Sequence, residues 1–323
     1  LLRDRDMAKL RTLVEETLAF DPEILKRFVN FLSNPDEETA IEQFGDGDRY
    51  FGACTVLATL PGLPLIDHGQ LEGLREKYGM EFRRPRLVEA PDEGIVRRHR
   101  REIFPLLRRR AQFAGVEGFR LLVLDSSDAA GGLLIYANGV GAERSLVAFN
   151  NSPAPVAGTV RGAAGLFEDP ADAVYRARDP TTGAHYLYDA QTVREAGLPM
   201  SLRAYEARVL VDFRPVLEAV EEPYRALAGR LRGRGVTSLQ AELEIQEHWP
   251  LIEAAAAYLR ACGSGRGRRA PGRELERLAL DLEPGADRDE LRRVLARTRD
   301  LIEIEPRVER LPWPATERLQ DVR

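Results

Sequence analysis

Apolar and polar positions alternate along the first part of the chain in blocks that predict helix, strand, helix and strand. Residues 7–19 carry apolar side chains at helical spacing. Residues 28–32 are a short, mostly apolar run typical of a buried parallel strand, and Pro35 ends it because proline cannot donate to a sheet ladder. Residues 48–60 predict a small, apolar helix, and residues 63–66 predict a second strand. This order indicates the β-α-β connection of a parallel sheet.

The pattern changes after residue 118, where short apolar runs are separated by Gly, Asn and Asp turn signals. Such runs, joined by turns, are typical of an antiparallel β-sandwich. The predicted strands lie at residues 119–124, 133–137, 145–149, 174–178 and 185–188, and residues 201–213 supply one strand or two more. Beyond Pro215 the apolar spacing becomes helical again, over residues 224–232, 238–261, 274–282 and 288–302. The segment 263–273, rich in Gly and Arg, has the composition of a flexible linker.

These changes predict three domains. We expect an α/β domain at residues 1–117, an antiparallel β-sandwich domain at 118–215 and a helical extension at 216–323. Within the first domain, residues 67–95 form a long charged loop of the kind that is usually functional or mobile. Residues 96–113 predict a basic helix. Its arginines either bind anions or, as the more common alternative, pair with acids on a solvated face.

Composition and charge narrow the function classes. The 323 residues are 44% hydrophobic and 31% charged, as in soluble globular proteins, and the net charge is −5. That charge does not favour a nucleic-acid partner. No apolar stretch reaches transmembrane length, and the two widely spaced cysteines require no disulfide. We therefore predict a cytoplasmic protein without membrane contact, cofactor or metal site, and the oligomeric state stays open.

The candidate chemistry lies where the two predicted parallel strands end. Asn34 and Asp36 follow the first strand, and His68, Gln70 and Glu72 follow the second. Neighbouring parallel strands end at one edge of a sheet, and in barrel enzymes the catalytic groups are mounted at that edge. The alternative for the first loop is a capped turn that leads into a helix. The alternative for His68 is a side chain that only packs its own loop.

Two short motifs resemble conserved regions of the α-amylase superfamily, glycoside hydrolase family 13. Residues 31–36, Phe-Leu-Ser-Asn-Pro-Asp, resemble the superfamily's fourth region, Phe-x-x-Asn-His-Asp, which follows the seventh barrel strand. Residues 61–73 resemble its eighth strand and the loop after it. The motifs occur in the expected order and one helix length apart. The resemblance implies that residues 1–117 are the C-terminal part of a (β/α)₈ TIM barrel and that 118–215 are the β-domain that follows it.

The resemblance also implies roles for the strand-end residues. Asp36 corresponds to the third carboxylate of a retaining glycosidase, which stabilises the transition state by binding sugar hydroxyls more tightly as the ring gains positive charge. Asn34, His68, Gln70 and Glu72 are implied to contact the substrate, an α-glucan or maltooligosaccharide.

Two departures from the superfamily's pattern bear on this function. Pro35 stands where the superfamily has a histidine that contacts the sugar, and a related group of maltosyltransferases also has proline before this Asp. The nucleophile and the acid/base follow strands four and five of the barrel. A whole barrel needs about 250 residues, and Asp36 lies too near the start of the chain for those strands to precede it. We expect a fragment of a longer bacterial protein, inactive alone.

The sequence thus predicts the C-terminal fragment of an α-amylase-type glycoside hydrolase with a retaining mechanism. One alternative is an α-glucan glycosyltransferase, similar to the maltosyltransferases, on the same barrel. Another is a non-catalytic carbohydrate-binding protein. An Asp and a Glu at the ends of strands four and five would distinguish an enzyme from a binding protein.

Overall fold

The computed structural model describes residues 2–77, 84–126, 132–168, 170, 172–216, 221–264, 269–282, 289, 292 and 293. The chain divides into two units, Leu1–Leu239 and Gln240–Arg323. The predicted boundary between residues 117 and 118 therefore lies inside the first unit. Most of the predicted helical extension beyond residue 282 lies outside the described residues.

The first part of the chain alternates helices with two very short strands. Its elements are α1 (Met7–Phe20), a 3₁₀ turn (Pro22–Arg27), β1 (Val29–Asn30), α2 (Ala40–Phe44), α3 (Asp48–Thr59) and β2 (Leu63–Pro64). The carboxylate of Asp6 caps α1 by accepting the backbone N–H of Lys9, and that of Asp21 caps the 3₁₀ turn. These elements confirm the predicted order of helix, strand, helix and strand.

β1 and β2 pair in parallel, with Val29 opposite Leu63 and Asn30 opposite Pro64. This confirms the parallel arrangement predicted for residues 28–66. The ladder is shorter than the predicted strands, and the N–H groups of Leu63 and Leu65 donate to the carbonyl oxygens of Phe28 and Asn30 at 2.7 and 2.8 Å. The side chain of Asn30 closes the connection by donating to the carbonyl oxygen of Pro61, 2.8 Å away.

Helix α3 is the central element of this region. Every residue from Tyr50 to Thr59 is buried, which is the pattern of a helix enclosed on all sides. Gly52 allows the closest approach, since a methyl group at this position would overlap the ring of Phe149 in the β-domain. Phe149 is itself completely buried. Helix α3 thus joins the parallel strands to the β-domain through one continuous core.

The predicted basic helix at residues 96–113 is a succession of shorter helical segments. They are α4 (Glu93–Arg98), a π-helical turn (His99–Ile103), α5 (Phe104–Leu107) and α6 (Arg110–Ala114). Arg110 ties the last segment to the end of α3: its guanidinium donates to the carbonyl oxygens of Ala58 (2.9 Å) and Leu60 (2.6 Å), and also to that of Gly62. It thereby satisfies carbonyls that the end of a helix leaves without partners.

The β-domain contains eight antiparallel strands. They are β3 (Arg120–Asp125), β4 (Leu133–Asn138), β5 (Ser145–Asn150), β6 (Val156–Arg161), β7 (Val174–Arg178), β8 (His185–Asp189), β9 (Leu198–Leu202) and β10 (Ala207–Pro215). Their order is β8-β7-β10-β5-β4-β3-β6-β9. The antiparallel prediction is confirmed, but the strands form one continuous sheet where a two-sheet sandwich was predicted. Tyr188 and Met200, from the two outermost strands, share one hydrophobic core, so the sheet curls around it.

The remaining helices are α7 (Ala190–Ala196), α8 (Glu221–Leu231), α9 (Leu239–Glu247), α10 (Trp249–Ser264) and α11 (Arg269–Leu282). The single helix predicted at 238–261 is interrupted before Trp249, because Pro250 belongs in the first turn of a new helix. The predicted linker at 263–273 is also corrected, since residues 269–273 are helical. Pro271 fits there because the first turn of a helix needs no intrahelical N–H donors.

Candidate functional site

The loop after β1 is a tight turn built by Asn34. Its side-chain oxygen accepts the backbone N–H groups of Asp36 (2.9 Å) and Glu37 (3.0 Å), and its carbonyl oxygen also accepts the N–H of Glu37. Pro35 occupies the corner. The turn leaves Asp36 exposed while Asn34 is half-buried. The sequence therefore forms the capped turn that was one of the two readings, and this turn also presents the Asp36 carboxylate to solvent.

The loop after β2 places the three predicted residues in different environments. His68 is exposed and Glu72 is half-buried. Gln70 is 4% exposed, and its side-chain oxygen accepts the backbone N–H of Asp67 at 3.2 Å while its amide lies 3.9 Å from Sγ of Cys54. The Gln70 side chain is thus committed to the interior of its own loop. Its geometry does not support the predicted contact with a substrate.

A buried hydrogen-bond network that the sequence did not reveal anchors this loop. The hydroxyl of Tyr50 donates to the carbonyl oxygen of Gln70 and lies 2.8 Å from Nε2 of His99. Because a hydroxyl has one proton, Nε2 of His99 must be the donor to Tyr50. The remaining nitrogen, Nδ1, is buried without a hydrogen-bond partner in the described structure. Burial lowers the pKa of His99 to about 4, so the ring is neutral near pH 7.

Two carboxylates clamp the base of the long loop that follows. The Glu89 carboxylate accepts the backbone N–H groups of Arg75 and Glu76 at 2.8 and 2.9 Å. The Glu76 carboxylate in turn accepts those of Arg86 and Leu87 at 2.7 and 2.9 Å. Each carboxylate therefore binds two consecutive N–H groups of the opposite segment. The two ends of the loop are held together by charge-assisted hydrogen bonds.

The loops that follow β1 and β2 leave the same edge of the parallel pair, and their side chains contact each other directly. Nζ of Lys77 donates to the backbone carbonyl oxygen of Asp36 at 2.8 Å. Arg75 forms an ion pair with Glu42 at 2.9 Å, in the helix that follows the Asp36 turn. The structure thus brings the segment carrying Asn34 and Asp36 together with the segment that continues from His68 and Glu72.

Three of the seven arginines in the predicted basic helix, Arg98, Arg101 and Arg109, pair with acids, as the second of the two sequence alternatives predicted. Arg98 forms ion pairs with Asp48 (2.8 Å) and Glu102 (2.9 Å). Arg109 donates two hydrogen bonds to Asp212, at 2.9 and 3.0 Å. Burial alone would raise the pKa of the Asp212 carboxyl. The hydrogen bonds and charges of Arg109 and Arg178 nevertheless hold that pKa below its ordinary value. These arginines stabilise contacts between elements.

One face of the parallel pair is apolar and open to solvent. Val29, Phe31, Leu63 and Leu65 are 47%, 46%, 61% and 38% exposed. Since Val29 lies opposite Leu63, and side chains alternate along a strand, these four share one face. A groove of about 500 Å³, with apolar side chains of α1 and α3 among those lining it, also runs along β1. Parallel sheets are usually covered on both faces, so this exposure is unusual.

The turn after β1 presents three consecutive exposed carboxylates, Asp36, Glu37 and Glu38, and Asp36 is the one that the motif singles out. Asp36 can accept hydrogen bonds from sugar hydroxyls or stabilise a nearby positive charge. Within the part of the chain that the structure describes, no three His, Cys, Asp or Glu side chains are grouped to hold a metal ion. A search of the described helices found none that is both long and apolar enough to cross a membrane.

No protein-family model and no curated protein matches the sequence. Solved structures similar to this chain are amylase-type enzymes. The native debranching enzyme of Nostoc punctiforme has 23% identity and a TM-score of 0.46, over 62% of this chain and 39% of its own. An α-amylase from Geobacillus thermoleovorans, complexed with acarbose, has 21% identity and a TM-score of 0.43, and the match covers 59% of this chain and 40% of the amylase. CldA, a cyclomaltodextrin glucanotransferase, has 19% identity and a TM-score of 0.44, and the match covers 66% of this chain and 44% of CldA. The chain spans about two-fifths of the length of these structures.

Proposed function

We propose that this chain is the C-terminal portion of an α-amylase-type glycoside hydrolase that acts on α-glucans by a retaining mechanism. The observation that carries the proposal is the parallel pairing of β1 with β2, with an exposed Asp36 at their common C-terminal edge. This is the edge at which barrel enzymes mount their catalytic groups. The two sequence motifs, which resemble strands seven and eight of the amylase barrel, end there.

The open face of the parallel pair supports the existence of further barrel strands. Val29, Phe31, Leu63 and Leu65 would line the inside of a barrel, where layers of large apolar side chains form the core. The groove that runs along β1 is compatible with a further strand beside it. Strands one to six would be supplied by sequence outside this chain, together with the nucleophile and the acid/base.

In this proposal Asp36 is the transition-state stabiliser of the longer protein. The Asn34 turn fixes the backbone of Asp36 and with it the point from which the carboxylate projects. His68 and Glu72 are the substrate contacts contributed by the loop after β2. Gln70 is reassigned to a structural role, because its side chain is turned into that loop.

A glycosyltransferase on the same barrel is the second candidate, and Pro35 is the observation that favours it. Proline at this position removes the histidine that contacts the sugar in hydrolases, and it matches the maltosyltransferase-like pattern. In the structure Pro35 occupies the corner of the turn, with no side-chain donor for a sugar hydroxyl.

The deciding experiment compares this chain with the longer protein that contains it. Both are incubated with maltooligosaccharides, with and without inorganic phosphate, and the products are separated by size. Residues 1–323 alone should release no sugar, while the longer protein should shorten the oligosaccharides and keep the α configuration at the new reducing end. Elongated or phosphorylated products would favour the transferase. Turnover by the purified 323-residue chain would overturn the proposal.

A further inference from the structure

A second site candidate lies in the β-domain, where a cleft of about 580 Å³ opens beside the outer strand β9. Four arginines line it, and we refer to it as the arginine cleft. These residues are Arg203, Arg208, Arg232 and Arg234. Glu206 is the one carboxylate among its lining residues, and Ser201 and Thr182 contribute hydroxyls. The cleft is therefore strongly positive, although the whole chain has a net charge of −5.

The loop that carries two of these arginines is fixed tightly against the sheet. A side chain at Gly233 would collide with the carbonyl oxygen of Pro199 in β9, and one at Gly235 would collide with the ring of Tyr186 in β8. Val236 then exchanges two backbone hydrogen bonds with His185, at 2.7 and 2.9 Å. The two glycines thus allow the backbone to approach the sheet and set Arg232 and Arg234 at the rim of the cleft.

Arg232 and Gly233 both have a left-handed backbone, with φ of 48° and 77°. This conformation costs an arginine about 1–2 kcal/mol. Such strain persists only where the surrounding contacts hold the backbone in place, and residues with strained backbones are frequent at ligand sites. The exposed side chains of Arg232 and Arg234 form no ion pair within the described part of the chain. Their charges are consequently available to a ligand.

The other two arginines are oriented by Glu206. Its carboxylate accepts from Nη2 of Arg208 at 2.7 Å and from Nε of Arg203 at 3.2 Å. The guanidinium of Arg208 also lies over the ring of Tyr186, 5.6 Å from its centre, and its side chain is only 15% exposed. One carboxylate cannot neutralise four guanidiniums, so the cleft retains an excess positive charge in a partly desolvated position.

We propose that the arginine cleft binds a small molecule carrying a phosphate group. Guanidinium groups match the geometry of phosphate oxygens and can donate two parallel hydrogen bonds to them. The excess of positive charge suits a dianion better than a singly charged carboxylate. The volume is within the range of about 300–1,000 Å³ that is typical of small-molecule sites. This site is separate from the Asp36 edge and does not depend on the proposed glucan function.

The test is calorimetric titration of the full chain with inorganic phosphate, glucose 6-phosphate and AMP, with glucose as the uncharged control. We expect saturable binding of at least one phosphate compound with a Kd of about 1 mM or tighter at low salt. The binding should weaken as salt is added. The phosphate compound with the lowest Kd shows whether the ligand is free phosphate, a sugar phosphate or a nucleotide. Equal binding of glucose, or no phosphate binding up to about 10 mM, overturns the proposal.

Variants locate the binding within the chain. Arg232→Asn with Arg234→Gln removes both rim charges, and asparagine tolerates the left-handed backbone at 232. We expect this double variant to raise the Kd at least about tenfold. Arg176→Gln with Arg194→Gln removes two exposed charges elsewhere on the β-domain and should change the Kd less than about twofold. Equal losses in the two double variants would show a general charge effect and refute the site. If the first variant does not fold, Arg234→Gln alone should still weaken binding.

Discussion

The hydroxyl of Tyr50 lies 2.8 Å from Nε2 of His99, and both side chains are almost completely buried. Protonation of His99 would add an N–H at Nδ1, for which the described residues offer no acceptor. The folded protein therefore holds the ring neutral down to about pH 4, whereas the unfolded chain binds a proton below about pH 6.5. In that window the unfolded state carries more protons, so the free energy of unfolding falls as the pH falls.

We expect up to about 3 kcal/mol of stability to be present above pH 6.5 and lost progressively towards pH 4. The free energy of unfolding, determined from urea denaturation between pH 4 and 8, measures this loss of stability. His99→Gln keeps a donor for Tyr50 but cannot titrate, so its stability should depend less on pH over this range. His248→Gln, at an exposed histidine, is the control and should leave the pH dependence unchanged. An unaltered slope in His99→Gln would contradict the assignment.

The role proposed for Asp36 is testable in the longer protein that the proposal requires. Asp36→Asn removes the charge and keeps the size, and an asparagine preserves the turn, so folding should survive. We expect kcat and kcat/KM to fall by about 10²–10³-fold, the usual effect of losing one preorganised electrostatic contact. Glu38→Gln removes an exposed charge from the same loop and should leave kcat nearly unchanged. Near-normal kcat in Asp36→Asn, with a normal melting curve, would leave this edge without a catalytic role.

The Arg110 contacts predict a large stability effect from a partly exposed charge. Arg110→Gln should lower the free energy of unfolding by about 2–3 kcal/mol, because it leaves the carbonyl oxygens of Ala58 and Leu60 without their donor. Arg108→Gln, at an exposed neighbour, removes the same charge and should change stability by less than about 0.5 kcal/mol. Chemical denaturation of both variants gives the two free energies of unfolding to be compared. Equal effects would show that the charge matters and the contacts do not.

Two helical glycines give opposite predictions for the same substitution. Gly52→Ala should destabilise the protein by about 2–3 kcal/mol, because the new methyl group overlaps the buried ring of Phe149. Gly229→Ala has open space and should be neutral or stabilising by up to about 1 kcal/mol, because alanine favours a helix. Thermal unfolding distinguishes them. A neutral Gly52→Ala would mean that α3 does not pack on β5 as described.

The alternation of apolar residues predicted the elements that depend on local pattern. Helices α1 and α3, the parallel strand pair and seven of the eight antiparallel strands lie close to their predicted positions. Strand β6 was missed because Val156–Arg161 contains Ala, Gly and Thr and has little apolar alternation. Helix α2 was expected only as part of the capped-turn alternative, although Thr39 and Glu42 have the spacing of a capping box and the hydroxyl of Thr39 accepts the N–H of Glu42 at 3.4 Å.

Features that depend on tertiary contacts could not be predicted in this way. Tyr50 and His99 are 49 residues apart, and no local pattern indicates that they meet. The burial of Gln70 also depends on tertiary contacts, since its carbonyl oxygen accepts from the Tyr50 hydroxyl and its side-chain amide lies beside Sγ of Cys54. Its motif position alone suggested a substrate contact. The motif did place Asn34 and Asp36 correctly at a strand end, because that placement depends on the order of local elements.

The hydrophobic core that α3 shares with the β-domain limits where gene segments can recombine. Leu134, Tyr136, Val147 and Phe149 of the β-domain pack in the same cluster as the residues of α3. Recombination between related genes near residue 117 would pair each half with a surface it has not packed against, and would leave large rings without matching cavities. Exchange upstream of α1 would keep this packing intact. The segment that carries α3 with the strands β1 and β2 should therefore pass between proteins together with the β-domain as one module.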